Sequence, residues 1–165
     1  MYNIQKHLQY NAWANEKIVG FLANVDDMVL DTEIKSSFPS IRKTIMHVWD
    51  AQQIWFLRLR GESISGWPSQ EFTGDTKELF SAFIESSHAF VNFIASKDKD
   101  YLEGKVSYKN MKGTDFSNPV DVILFHVVNH GTFHRGQILT MLRELGFTSF
   151  ESQDLIAYYR LENQV

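Results

Sequence analysis

The chain has 165 residues, 44% of them hydrophobic and 14% aromatic, which suits one globular domain with a real core and argues against disorder. Its formal net charge of −4, with no Lys/Arg cluster along the chain, disfavours a nucleic-acid binder. The absence of cysteine removes disulfides, thiolate ligands and a cysteine nucleophile.

No apolar run approaches the ~20 residues of a membrane span. The opening "MYNIQKHLQY" lacks the basic-then-apolar layout of a signal peptide, so a cytoplasmic location is the expectation. There is no internal repeat, low-complexity tract or glycine-rich phosphate loop.

The first helix is expected near 3–24, on a stripe of Ile4, Leu8, Ile18, Leu22 and Val25. Asn11 and Asn15 fall on that same stripe, where apolar residues belong. Two asparagines one turn apart either fix helix register or line a polar pocket that orients a ligand. A second helix near 40–60 is entered through "FPSI", carries Ile41, Ile45, Val48, Trp55 and Leu59, and stops at Gly61. Residues 62–74 hold Gly, Ser and Pro and read as a connecting loop.

A third helix near 76–96 begins at a capping box, Asp75 with Glu78, and continues through Leu79, Phe83, Phe90, Val91 and Ile94. "GKVSYKNMKGTDFS" then alternates like strands around a turn at Asn110–Gly113, a hairpin or structured loop. Asn118 as N-cap and Pro119 at the first helical position open a fourth helix near 119–145, with Asp121 in its first turn and Gly146 as its stop. Asp154 is placed to cap a last short helix, "LIAYYRLE". The fold class is all-α: an antiparallel four-helix bundle with a short insertion before its last long helix and a short C-terminal helix.

"HVVNHGTFHRGQIL" places three of the six histidines at 126, 130 and 134, each one helical turn from the next. On a helical wheel Ile123, Val127, Ile138, Met141 and Leu145 form the core sector. His134 lies inside it, His130 at its near edge, and His126 further round toward Phe133 and Glu144. A single buried histidine most simply finds a carbonyl or side-chain partner. An i, i+4 pair on a core face can also chelate one ion.

A third ligand must come from elsewhere. His47 sits on the flank of the second helix's stripe beside Thr44, Ala51 and Ile54. His7, at the edge of the first helix's stripe, is the runner-up. His88 reads as solvated or locally bonded, and Asp50 lies too far round from His47. Gln137 shares the histidine face, within reach of a pocket. Gly136 suggests close packing of another backbone, and Arg135 falls outside the core sector.

"YNAWANEKI", "PSIRKTIMHVWDAQQIWFLRL", "NHGTFHRGQI" and "DLIAYYR" resemble, in order, the motifs of the DinB-like family of damage-inducible, metal-binding four-helix bundles, unrelated to the DNA polymerase of similar name. The resemblance implies a divalent-metal site of His47, His130 and His134, with His126 outside it; imidazole ligands suit Zn or Ni as the ion. It also implies a homodimer, and the wider superfamily holds transferases that use small thiols. Three functions follow as expectations. The first is a metal-dependent thiol S-transferase acting on a small-molecule thiol and an electrophile, with Asn11, Asn15 and Gln137 lining the pocket. The second is a metal-dependent hydrolase, for which Glu144 is the only acid near the histidine sector. The third is a non-catalytic, stress-associated metal-binding protein.

Overall fold

The computed structural model describes residues 3–62 and 66–162. Its elements are α1 (Ile4–Leu22), α2 (Asp27–Leu30), α3 (Ile41–Leu59), α4 (Pro68–Glu71), α5 (Thr76–Ala95), α6 (Lys99–Glu103), β1 (Lys105–Lys109), β2 (Asp115–Pro119), α7 (Val120–Glu144) and α8 (Leu155–Glu162). The four long helices match the four apolar stripes. None of the described helices is long and apolar enough to cross a membrane.

Local chemistry sets the helix ends. Asn3 and Ser40 accept backbone N–H groups of the first turns of α1 and α3, and Asp75 and Glu78 cap α5 reciprocally. Gly61 and Gly146 take left-handed φ values of 76° and 93° just past α3 and α7, which stops those helices without strain. Asp154 accepts the N–H groups of Ala157 and Tyr158 through its carbonyl, while its carboxylate accepts the Ser152 hydroxyl.

The start of α7 departs from expectation. Asn118 and Pro119 belong to β2, paired antiparallel with Val106 and Lys105, and α7 begins one residue later at Val120. The Asn118 carboxamide is not available as a cap because its oxygen accepts the Tyr108 hydroxyl at 2.8 Å. The ladder holds Pro119 extended, at φ −58° and ψ 141°.

Each long helix touches two others: α1 lies against α5 and α7, and α3 against α5 and α7. Side-chain pairs give the directions. Gln5 reaches Ile94 and Asn15 reaches Ser87, so α1 and α5 are antiparallel. His47 meets His130 while Trp55 meets His126, so α3 and α7 are antiparallel. The other two faces are parallel. Leu8 clusters with Ile123 and Val127, whereas Ile18 and Leu22 cluster with Ile138 and Met141. Ile41 and Ile45 share a cluster with Leu79 and Phe83, while Phe56 and Leu59 share one with Phe90 and Ile94. Joining parallel neighbours α3 and α5 requires a connection that returns along the bundle. Within it, α4 lies on α3, where Asp50 accepts the Ser69 N–H at 2.8 Å and its hydroxyl at 2.6 Å.

The two apolar clusters are separated by a polar layer at mid-bundle. Arg135 Nη1 donates to the side-chain oxygens of Asn11 and Asn15, each at 2.7 Å, and Nη2 donates to Thr132 Oγ1 at 3.1 Å. Asn15 Nδ2 donates to Ser87 Oγ, and Gln52 Nε2 donates to the hydroxyls of Ser86 and Ser87. Arg135 is only 3% exposed, against the expectation that it lies outside the core sector. The reason is that α7 is covered on two sides, by α1 and by α3, so its buried arc is wider than its apolar stripe. Burial without a carboxylate partner pulls the guanidinium pKa down.

The close approach of backbones falls at Gly131 and not at Gly136. A Cβ on Gly131 would lie 2.7 Å from Asn11 Oδ1 and 2.9 Å from Arg135 Nη1, whereas one on Gly136 would meet nothing within 4 Å. Gly136 sits on the exposed face of α7, so no neighbouring backbone requires it.

Candidate metal centre

Antiparallel packing of α3 on α7 turns the flank of one helix toward the edge of the other. His47 Nε2 lies 3.0 Å from His130 Nε2, and His134 Nε2 lies 3.1 Å from the same atom. One nitrogen from each ring falls within 4.8 Å of the other two, so the three could hold a metal ion. Tetrahedral bonds of about 2.0–2.1 Å place neighbouring nitrogens about 3.3 Å apart, so small ring movements would accommodate an ion.

The surroundings favour the neutral rings that bind metals. Burial, then the neighbouring imidazoles of His134, His47 and His126, push His130 down to about 3. Burial and His134 lower His47, with the Asp50 carboxylate opposing. Burial lowers His134 too, with its bond to Gln137 opposing. At neutral pH all three rings carry lone pairs and no charge.

Gln137, expected to line a pocket, bonds His134 itself. Its Oε1 lies 2.7 Å from His134 Nδ1, and its Nε2 donates to Ser37 Oγ at 2.9 Å. With the amide so oriented, Oε1 accepts the Nδ1 proton and leaves the Nε2 lone pair facing the other rings. Phe38 stacks on His47 at 4.1 Å between centroids and stands edge-on to His134 at 5.7 Å. Neither Ser37 nor Phe38 was singled out from the sequence. Phe38 opens the "FPSI" entry to α3 and Ser37 precedes it, and nothing in their pattern signals that the segment folds over a ring.

The remaining candidates lie apart from the three rings. His126 is one turn away, 5.9 Å from His130 between centroids, with its edge on Trp55. His7 packs beside Tyr10 and Phe125. His88 bonds Glu16 Oε1 of α1 at 2.6 Å on the surface. Asn11 and Asn15 belong to the polar layer around Arg135, and no hydrogen bond among the described residues joins them to the histidines. Beside His47 opens a cavity of about 560 Å³ walled by Phe38, Pro39, Met46 and Trp67, with Lys43 and Asp50 at its polar edge. Glu144 lines a different depression, with Phe133 and Thr140.

The sequence model of the DinB family matches residues 1–162. The chain belongs to the DinB family. "Protein DinB" of Bacillus subtilis (strain 168) is 30% identical over 151 residues, covering 87% of each chain. Among solved structures, a DinB-like protein from Bacillus cereus is 20% identical at a TM-score of 0.66, covering 88% of this DinB-family chain and 95% of its own. YfiT from Bacillus subtilis, described as "a probable metal-dependent hydrolase with an unusual four-helix bundle topology", is 15% identical at 0.66, with 88% and 89% covered. A DinB-like protein of Bacillus subtilis, YjoA, is 12% identical at 0.66, with 92% and 97% covered. At these identities the likeness to the three structures is one of fold.

Proposed function

We propose that this protein is a metal-dependent enzyme of the thiol S-transferase type, with His47, His130 and His134 holding one Zn or Ni ion. The observation that carries this reading is the convergence of three uncharged imidazole nitrogens at the edge of a largely apolar cavity. A divalent ion bound there supplies Lewis acidity, lowering the pKa of a thiol at an open coordination position. Gln137 holds His134 in the tautomer a ligand needs, and Phe38 shields one face of His47 from water. The cavity walled by Phe38, Met46 and Trp67 suits an apolar electrophile. Asn11 and Asn15 act at a distance, through Arg135 and the seating of α7. Thiol–electrophile conjugation by metal-loaded protein, abolished in His134→Ala, tests the reading. Full metal content with no conjugation of any thiol tried would move the protein to the non-catalytic, stress-associated reading.

Asp50 favours a second reading, metal-assisted hydrolysis, because its carboxylate lies beside His47 and could manage the proton of an attacking water. YfiT carries that description. In this protein both Asp50 oxygens already accept bonds from Ser69, which ranks hydrolysis second. Loss of ester hydrolysis in Asp50→Asn, with metal content unchanged, would promote it. A homodimer is expected in either case, with Phe133 exposed on α7. Light scattering showing a monomer at micromolar concentration would refute that.

A further inference from the structure

About three turns along α3 from His47, Arg58 has no protein acceptor among the described residues. Its Nε is buried without a hydrogen-bond partner, and no carboxylate pairs with its guanidinium. Glu62, the acid closest in sequence, is engaged by Arg60 at 2.7 Å. Arg58 is nonetheless held in place. Its Cζ lies 4.6 Å from the centre of the Trp55 ring and 4.5 Å from that of Tyr108, and those rings meet edge-on at 5.2 Å. Tyr108 is fixed in turn by its hydroxyl, which donates to Asn118 across the hairpin. Half-buried and desolvated, the guanidinium is a fork of five donors fixed by aromatic contacts and left without an anion. A buried Nε–H without a partner on a partly desolvated cation is costly, and an acceptor from outside the chain would relieve that cost.

The position gives this acceptor a meaning. From His130 the surface passes to His126, 5.9 Å away, then to Trp55, 5.3 Å further, and then to the Arg58 guanidinium folded back over Trp55. Trp55 lies about 12 Å from His47 along the α3 axis, counted at 1.5 Å per residue. An extended small molecule of roughly that length would reach from the histidine cluster to Arg58.

We propose that Arg58, supported by Trp55 and Tyr108, anchors the carboxylate of a small-molecule substrate whose reacting end lies at the histidine cluster. A carboxylate matches the guanidinium fork in shape and charge, and the aromatic frame holds that fork ready. This deepens the thiol-transferase reading and rests on it for the identity of the reacting end. Arg58 is a specificity-determining residue and takes no part in the chemistry.

The test is calorimetric titration of metal-loaded protein with a straight-chain ω-mercaptocarboxylate roughly 12 Å long and with the mercapto-alcohol of equal length. The carboxylate is expected to bind about tenfold or more tightly than the alcohol. Arg58→Gln should erase that preference with metal content and melting temperature unchanged. Arg58→Lys, which keeps charge but loses the fork, should restore part of it, and serves alone if the glutamine variant does not fold. Equal affinities in the wild type, failure of both to bind at millimolar concentration, or a preference surviving in Arg58→Gln would each overturn the proposal. The same titration with the simple alkyl carboxylate on chelator-treated protein separates the two ideas. A preference lost with Arg58 there, beside absent conjugation, leaves the anchor standing and removes the transferase.

Discussion

Two glycines five residues apart in α7 should respond to alanine in opposite directions. Gly136→Ala adds a methyl group that meets nothing within 4 Å. It should gain the helix propensity that glycine lacks, about 0.5–1 kcal/mol. Gly131→Ala gains the same propensity, but its methyl would lie 2.7 Å from Asn11 Oδ1 and 2.9 Å from Arg135 Nη1. Both atoms end flexible side chains, yet neither is free to swing, because they bond each other at 2.7 Å inside the polar layer. Moving them apart breaks a hydrogen bond to a charged group, about 1.5–3 kcal/mol, and leaves Arg135 with Asn15 and Thr132. After the propensity gain, a net loss of about 1–2 kcal/mol remains for Gly131→Ala. For a chain of this length roughly 2–4 °C accompanies each kcal/mol. Thermal melts followed by circular dichroism should therefore place Gly136→Ala above the wild type and Gly131→Ala below it, the two separated by roughly 4–10 °C. If the variants melt together, the contact between α1 and α7 is softer than described here and the polar layer is not tightly held.

Other consequences can be checked directly. His130→Ala should abolish metal binding measured by elemental analysis, while His126→Ala should keep most of it; equal losses would overturn the division between the three convergent rings and their neighbour. Gln137→Ala should weaken metal affinity by roughly 10–100-fold in a chelator competition, with little change in melting temperature, because it removes the acceptor on His134 Nδ1. The depressed His130 also links stability to pH. In chelator-treated protein the unfolded ring takes up a proton below its ordinary value near 6.5, while the folded ring does so only at about 3. His130 should therefore cost no stability above pH ~6.5, cost progressively more as pH falls, and level off below about 3. Urea midpoints at two pH values within that window should differ less in His130→Gln than in the wild type.

The four long helices could be read from the sequence because their stripes, caps and glycine stops are local properties, written within one turn of the residues they govern. The spacing of His130 and His134 was likewise visible in α7 alone. What a single helix cannot disclose is how many neighbours cover it. Arg135 falls outside the apolar sector of the wheel, yet α7 has a second buried face, Leu124, Val128, Gly131 and Leu142, and Arg135 lies with it, reaching Asn11 and Asn15 of α1. Asn11 and Asn15 stand out on an apolar stripe, but the Arg135 that bonds both lies 120 or more positions away. The pairing of Asn118 with Tyr108 outweighed a cap signal that was sound on local grounds.

The parallel pairing of α1 with α7 bears on how the protein comes into being. The chain's first helix finds one of its two long neighbours only in the last of the four, so no early segment can complete its own interior. During synthesis α1 and α3 must wait with one flank uncovered until α7 has emerged, and His47 waits with them. The closure of α1 and α3 against α7 is deferred to the final third of translation, an ordering that slows folding and leaves apolar surface open to chaperones. A chain arrested before α7 would carry three well-capped helices and no means of bringing two histidines to the third.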